Sequence, residues 1–173
     1  MRKIFITILF AFAAFCGMAQ VTIPGTGVSF DFPSHGWKFL QTTNVDKNTT
    51  VYLYSYKAAN VVDSVGDTVI PFMRIYVKKN YSGSVYDLAY TRFMTQPFQA
   101  LDEYTEGLPA PQSLGYVGAY HDTKDLKDYM FRMIYFKDKS TILEVRMETT
   151  LDTYEAMEPE FLSVLKTFTI ADK

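Results

Sequence analysis

Two histidines and one cysteine are the only side chains of this 173-residue chain that ordinarily titrate near neutrality or attack as thiolates. His35 lies in Pro33-Ser34-His35-Gly36, which is turn chemistry: proline fixes φ and glycine tolerates positive φ. A metal site needs several converging ligands, so a solvated turn residue is the reading for His35. His121-Asp122, with Asp125 and Asp128, forms a polar cluster of the kind that holds a hard cation. Its spacing departs from the Asp-x-Asp-x-Asp-Gly loop of an EF-hand, so it reads as a solvated loop. No Gly-x-Ser-x-Gly elbow supplies a serine nucleophile. Gly25-Thr26-Gly27 precedes the first expected strand instead of leading from a strand into a helix, so it is no phosphate loop. The carboxylates are those of any acidic protein, and a glycosidase pair is defined by separation in space. The expectation is therefore no catalytic residue, no cofactor and no metal.

Three tyrosines make the one non-catalytic candidate. Tyr52, Tyr54 and Tyr56 alternate along a strand and share a face. Open to solvent, they form a flat platform for a sugar or a partner protein. Covered by a helix, they are core, and packed layers favour that reading. Three short patterns mark modification sites. Asn48-Thr49-Thr50 fits the N-glycan acceptor. Asp63-Ser64-Val65 and Asp67-Thr68-Val69 resemble the Asp-Ser/Thr-aliphatic pattern that some bacterial export systems glycosylate, and both fall in an expected turn.

The first nineteen residues read as an address. Arg2 and Lys3 give a positive start, Ile4 to Phe15 carry no charge, and Gly17-Met18-Ala19 sets small residues ahead of Gln20. That order is a secretory signal peptide cleaved between Ala19 and Gln20. The apolar run is too short for the roughly 20 residues that span a bilayer. A lipid tether at Cys16 is the rival, but bulky Phe15 stands where lipoprotein signals place a small residue. Cleavage after Ala19 removes the sole cysteine, so the remaining body is disulfide-free. Losing Arg2 and Lys3 from 17 basic residues leaves 15 against 19 acidic ones, a net charge of −4. No Lys/Arg cluster exceeds Lys78-Lys79, so nucleic acid is not an expected partner. The expected place of work is the bacterial periplasm or the extracellular space. Residues 20–173 are expected to form one domain.

Periodicity supplies the elements. Val28 to Phe32, Trp37 to Leu40, Val51 to Lys57 and Val69 to Lys78 read as strands, with Asn44 to Thr50 and Asn60 to Thr68 as connections. Ser84 precedes Val85, Leu88, Ala89 and Phe93 at helical spacing, and Ser84-x-x-Asp87 resembles a capping box. Pro97 ends or kinks this helix. Gln112 to Ala119 reads as a strand broken by Gly115 and Gly118. Tyr129 to Phe136 and Thr141 to Thr149 are expected to pair as a hairpin. Leu143, Val145 and Met147 share one face of the second strand. Glu144, Arg146 and Glu148 share the other, which reads as a wet side. Arg132 is expected to face one of these carboxylates. Asp152 reads as the N-cap of a closing helix with Met157, Phe161, Val164, Leu165 and Phe168 as its stripe. Pro159 suggests that its regular part begins only there. Two arrangements fit: one helix on each side of the sheet, or both on one side.

Val28-Ser29-Phe30-Asp31-Phe32-Pro33 followed by Gly36-Trp37 resembles the "strand, Pro, short gap, Trp" opening of PsbP-like and DcrB-like domains. The middle helix from Ser84, the late hairpin from Tyr129 to Thr149 and the ending Leu165-Lys166-Thr167-Phe168 fit the same pattern. The resemblance implies an α+β fold, an antiparallel sheet of about six or seven strands sandwiched by helices. It also implies a non-enzymatic role, and no catalytic residue carries over. The first functional reading is an exported domain that binds a protein partner or supports an envelope complex. The alternatives are an envelope binder of a small ligand or glycan through Tyr52, Tyr54 and Tyr56, and a hydrolase with an unrecognised site.

Overall fold

A computed structural model describes residues 20–57, 61–105, 107–109 and 112–171. In chain order the strands are β1 (Val21–Thr22), β2 (Val28–Phe30), β3 (Trp37–Asn44), β4 (Thr49–Tyr56), β5 (Val61–Val62), β6 (Thr68–Val69) and β7 (Phe72–Lys78). Helix α1 (Val85–Thr95) follows, then β8 (Gln99–Tyr104), β9 (Leu114–Asp122), β10 (Lys127–Asp138) and β11 (Thr141–Thr150). A short 3₁₀ turn (Leu151–Thr153), helix α2 (Tyr154–Leu165) and β12 (Thr169–Ile170) complete the order. The main sheet is antiparallel with the strand order β3-β4-β7-β11-β10-β9-β8. It consists of two meanders, β3-β4-β7 and β8-β9-β10-β11, joined where β7 pairs with β11. No helix among the described residues is long and apolar enough to cross a membrane.

The sheet separates two cores, because side chains alternate across it. On one face Met73, Ile75, Val77, Ile134, Phe136, Leu143, Val145 and Met147 pack against the α2 stripe of Met157, Phe161, Val164 and Leu165. The three-stranded sheet β1-β2-β12 extends this cover. Its Phe30 stacks on Phe168 at 4.7 Å between ring centroids and meets Tyr54 edge-on at 5.9 Å. Trp37 closes the rim by donating Nε1–H to Glu160 at 2.7 Å, and the Ser34 hydroxyl donates to the same carboxylate at 2.6 Å. On the opposite face α1 presses Val85, Leu88 and Ala89 onto Leu114, Phe131, Met133, Tyr135 and Ile142. The sandwich therefore has one helix on each side.

Local chemistry sets the helix ends. The α1 capping box forms: Asp87 N–H donates to the Ser84 hydroxyl at 3.2 Å, and Ser84 N–H donates to Asp87 at 2.7 Å. Those bonds hold the Asp87 carboxyl below its ordinary pKa. The expected start of α2 is corrected. Asp152 does not cap it, because its carboxylate accepts the Ser64 N–H at 2.5 Å from across a loop. The helix runs from Tyr154 straight through Pro159. The donor that Pro159 withholds would have served Glu155, which is exposed, so water replaces it at little cost.

Other expectations shift by a few residues, and β1, β5, β8 and β12 are additional. The expected strand at Val69 splits at Ile70–Pro71 into β6 and β7, and the connection before it holds the β5-β6 hairpin. β9 passes unbroken through Gly115 and Gly118. A Cβ on Gly118 would lie 2.4 Å from the Phe131 ring and 2.6 Å from the Gln99 carbonyl, so the absence of a side chain lets that ring lie against the strand. β8, β1 and β12 have no counterpart in the periodicity.

Candidate functional site

The site begins with a row of charges on β11. Glu144, Arg146 and Glu148 point to the α1 side, as their alternation requires, but that side is not wet. Glu144 is 1% exposed and Glu148 is 2% exposed. A buried carboxylate must be paired, and each has a partner. Arg92 from the last turn of α1 reaches down to Glu144, Nε to Oε2 at 2.6 Å, with its guanidinium 4.8 Å from the centre of the Tyr76 ring. Burial works against the Arg92 charge, but Glu144 outweighs it and raises the pKa. Glu148 contacts both Arg74 and Arg146, the latter from Nε to Oε2 at 3.0 Å. The expectation that Arg132 faces these carboxylates is also corrected. Arg132 pairs in register with Met147, which points to the other face, and it bonds Glu158 of α2 there.

Arg74 and Arg146 stand directly opposite each other where β7 meets β11. Aromatic rings fix both guanidiniums. Arg146 lies 4.9 Å from the Phe98 ring centre and 5.9 Å from that of Tyr76, and Arg74 lies 5.6 Å from that of Phe72. Burial, with the like charge of Arg146 beside it, lowers the Arg74 pKa from its ordinary value. Above the two arginines is a pocket of about 360 Å³. Gln96, Phe98, Tyr120, His121 and Asp122 are among the residues that complete its wall.

Next to this pocket the sheet is uncovered. Helix α1 lies over β9, β10 and β11, and among the described residues no helix lies over β3, β4 and β7 on that side. Val51, Leu53, Phe72 and Tyr76 remain half-buried there, while Met73, Ile75 and Val77, one step along the same strand, are at most 1% exposed.

The residues singled out by sequence lie elsewhere. Tyr52, Tyr54 and Tyr56 do share a face, but it is the α2 face. Tyr54 is 6% exposed, and burial pushes its hydroxyl up to about 12. Tyr52 and Tyr56 pack half-buried against the same core, so no flat three-ring platform stands open. Tyr56 borders a groove of about 620 Å³ shared with Ala156, Met157, Pro159 and Glu160. His35 is exposed in its turn. His121 Nδ1 lies 2.8 Å from Asp128, and Asp125 accepts the Tyr129 hydroxyl at 2.5 Å. Among the described residues no three His, Cys, Asp or Glu side chains gather as a metal site would need. Ser64 and Thr68 are exposed on the β5-β6 hairpin, and Asn48 lies half-buried in the β3-β4 turn. Cys16 and Ala19 lie outside the described residues, and Gln20 is exposed at their start.

No family model matches the chain. No curated protein sequence matches it either. Solved structures do. Cyanobacterial PsbP (CyanoP) from Synechocystis superposes with a TM-score of 0.57 at 10% identity, covering 89% of this chain and 92% of its own. The Saccharomyces cerevisiae Ran-binding protein Mog1p gives 0.55 at 11% identity, covering 90% and 97%. LpqN, involved in cell envelope biogenesis of Mycobacterium tuberculosis, gives 0.50 at 11% identity, covering 90% and 92%. The chain has the PsbP-like fold. The PsbP-like sandwich recurs here with its helices on both faces, as the Pro-to-Trp opening and the late hairpin imply. At these identities the likeness concerns the fold, and function has to be argued from the site.

Proposed function

We propose that the protein is an exported, non-enzymatic domain that binds a protein partner or supports an envelope complex. The observation that carries this reading is the uncovered half of the α1 face. Val51, Leu53, Phe72 and Tyr76 are half-buried on this face and surround Arg74, which Arg146 stands beside. Such a patch rimmed by polar groups marks interaction sites, and aromatic residues and arginine are the side chains enriched in them. Two structures of this fold are described as a Ran-binding protein and as involved in cell envelope biogenesis, which supports a role in assembly. The leader pattern of residues 1–19 supports export, with residues 20–173 as one domain. A small-ligand reading draws support from the groove beside Tyr56.

The test is a photocrosslinking residue placed at position 51 or 72 of the protein in its native envelope, with position 155 on the outer side of α2 as control. A discrete adduct from the first two positions and none from the third is expected. Equal adducts from all three, or none, would remove the open face as the contact surface. The mature chain should begin at Gln20, and N-terminal sequencing that starts at Cys16 would show lipidation instead.

A further inference from the structure

We propose that the pocket over Arg74 and Arg146 seats the carboxylate of an acidic side chain carried by the partner. This rests on the partner-binding reading and names the chemistry that one part of the surface recognises. Two like charges directly opposite each other across a strand pair are unfavourable unless anions accompany them. Glu148 contributes one negative charge and touches both guanidiniums. The pair is left one positive charge in excess. Asp122 belongs to the pocket wall, but one of its oxygens accepts the Lys124 N–H at 2.8 Å, and no ion pair joins it to either arginine. Among the described residues no other group accepts a hydrogen bond from either guanidinium. Arg74 Nη1 and Arg146 Nε are the atoms that face Glu148, so the charge left over is carried by the other guanidinium nitrogens.

Geometry selects the anion. A guanidinium is a planar fork of donors matched to the two oxygens of a carboxylate. The Phe98 and Tyr76 rings hold Arg146 in place before any ligand arrives, which lowers the ordering cost of binding. The Phe98 and Tyr120 rings line the pocket beside the two arginines. The Gln96 amide adds donors at the rim. A volume of about 360 Å³ accepts a side chain and the backbone next to it. Leu53, Phe72 and Tyr76 flank Arg74 on the sheet, so a partner segment bearing an acidic residue next to apolar ones fits both.

The experiment titrates isotope-labelled full-length protein with N-acetyl-glutamate N-methylamide, with the isosteric glutamine compound and with inorganic phosphate. The glutamate compound is expected to shift the Arg74 and Arg146 side-chain signals and the Tyr120 amide saturably. The glutamine compound should bind about tenfold more weakly, as loss of one charge-assisted bond implies. Arg74→Gln should erase the difference, and Arg74→Lys should restore part of it. Equal affinity for the two compounds overturns the proposal on the unaltered protein, whatever the variants do. So does phosphate binding without glutamate binding, which would make this a phosphate site. Photocrosslinking with Arg74→Gln separates the two readings. An adduct at position 72 as strong as in the unaltered protein sinks the pocket and leaves the partner surface standing. Loss of every adduct in the unaltered protein, with glutamate discrimination intact, sinks the surface and keeps the pocket.

Discussion

The two faces of the main sheet are built from the same strands by opposite means. The α2 face is mainly apolar and aromatic, and a twelve-residue helix plus a second small sheet cover it. The α1 face carries three carboxylate–arginine contacts to its central strand β11, and the eleven-residue helix α1 covers only its β9-β10-β11 part. A face that must only hold together is sealed with hydrocarbon, where packing is dense and non-directional. The partly covered face instead pairs buried carboxylates with arginines that stay partly exposed. The difference is visible along β7 alone, where Met73, Ile75 and Val77 are shut in while Phe72, Arg74 and Tyr76 stay half-open.

The largest test of that contrast is Phe161→Ala in the sealed layer. Phe161 is fully buried, and its loss should cost about 3–5 kcal/mol in chemical unfolding. A cost below about 1 kcal/mol would mean that this face is not the main source of stability. On the other face, Glu144→Gln strands the Arg92 charge. It should cost about 1–3 kcal/mol, toward the low end because the Arg92 side chain is 26% exposed. The double variant Arg92→Met, Glu144→Met should recover most of that loss, and a double variant as unstable as the single one would show that the pair itself is worth more than its desolvation. Gly118→Ala, which forces Phe131 away from β9, should cost about 1–3 kcal/mol by the same measurement. Leu53→Asp, on the open half, should change stability by only about 0.5 kcal/mol. A loss several times larger would mean that this area is closed in the folded protein.

The smallest effect concerns pH. The Ser64 N–H and Thr150 side chain lower the Asp152 carboxyl to about 2. A depressed folded pKa gives stability that is present above the unfolded value of about 3.8 and is lost as pH falls toward about 2. The Asp152 carboxyl carbon should titrate near 2 by NMR, with the Ser64 amide moving in step. A midpoint near 3.8 would show that the tie between the hairpin and the 3₁₀ turn does not persist in solution.

Much of the scaffold is legible in the sequence because its signals are local. The hairpin around Lys137-Asp138-Lys139-Ser140 alternates strongly, and Ser84 with Asp87 announces α1 from two side chains. β8 is not legible, because Gln99 to Tyr104 is an exposed edge with no period to read. The start of α2 is misread because a capping residue and a long-range acceptor look the same in a list of letters. The candidate pocket is misread for a deeper reason. Glu144, Arg146 and Glu148 alternate with apolar residues in the way a solvated face does, and only Arg92 and Arg74, distant in sequence, turn that row into a buried one. A strand flanked on both sides and carrying both signs of charge is the available hint.

The joint between the two meanders has a kinetic consequence. Each meander is made of neighbours along the chain, and each can zip from its own turns. Joining β7 to β11 closes a loop from the seventies to the one-hundred-and-forties, and it brings two guanidiniums together with a carboxylate between them. Refolding should therefore be slowed by this non-local encounter, as by the pairing of β2 with β12. Glu148 would act as the rivet, letting cations approach that would otherwise drive the halves apart.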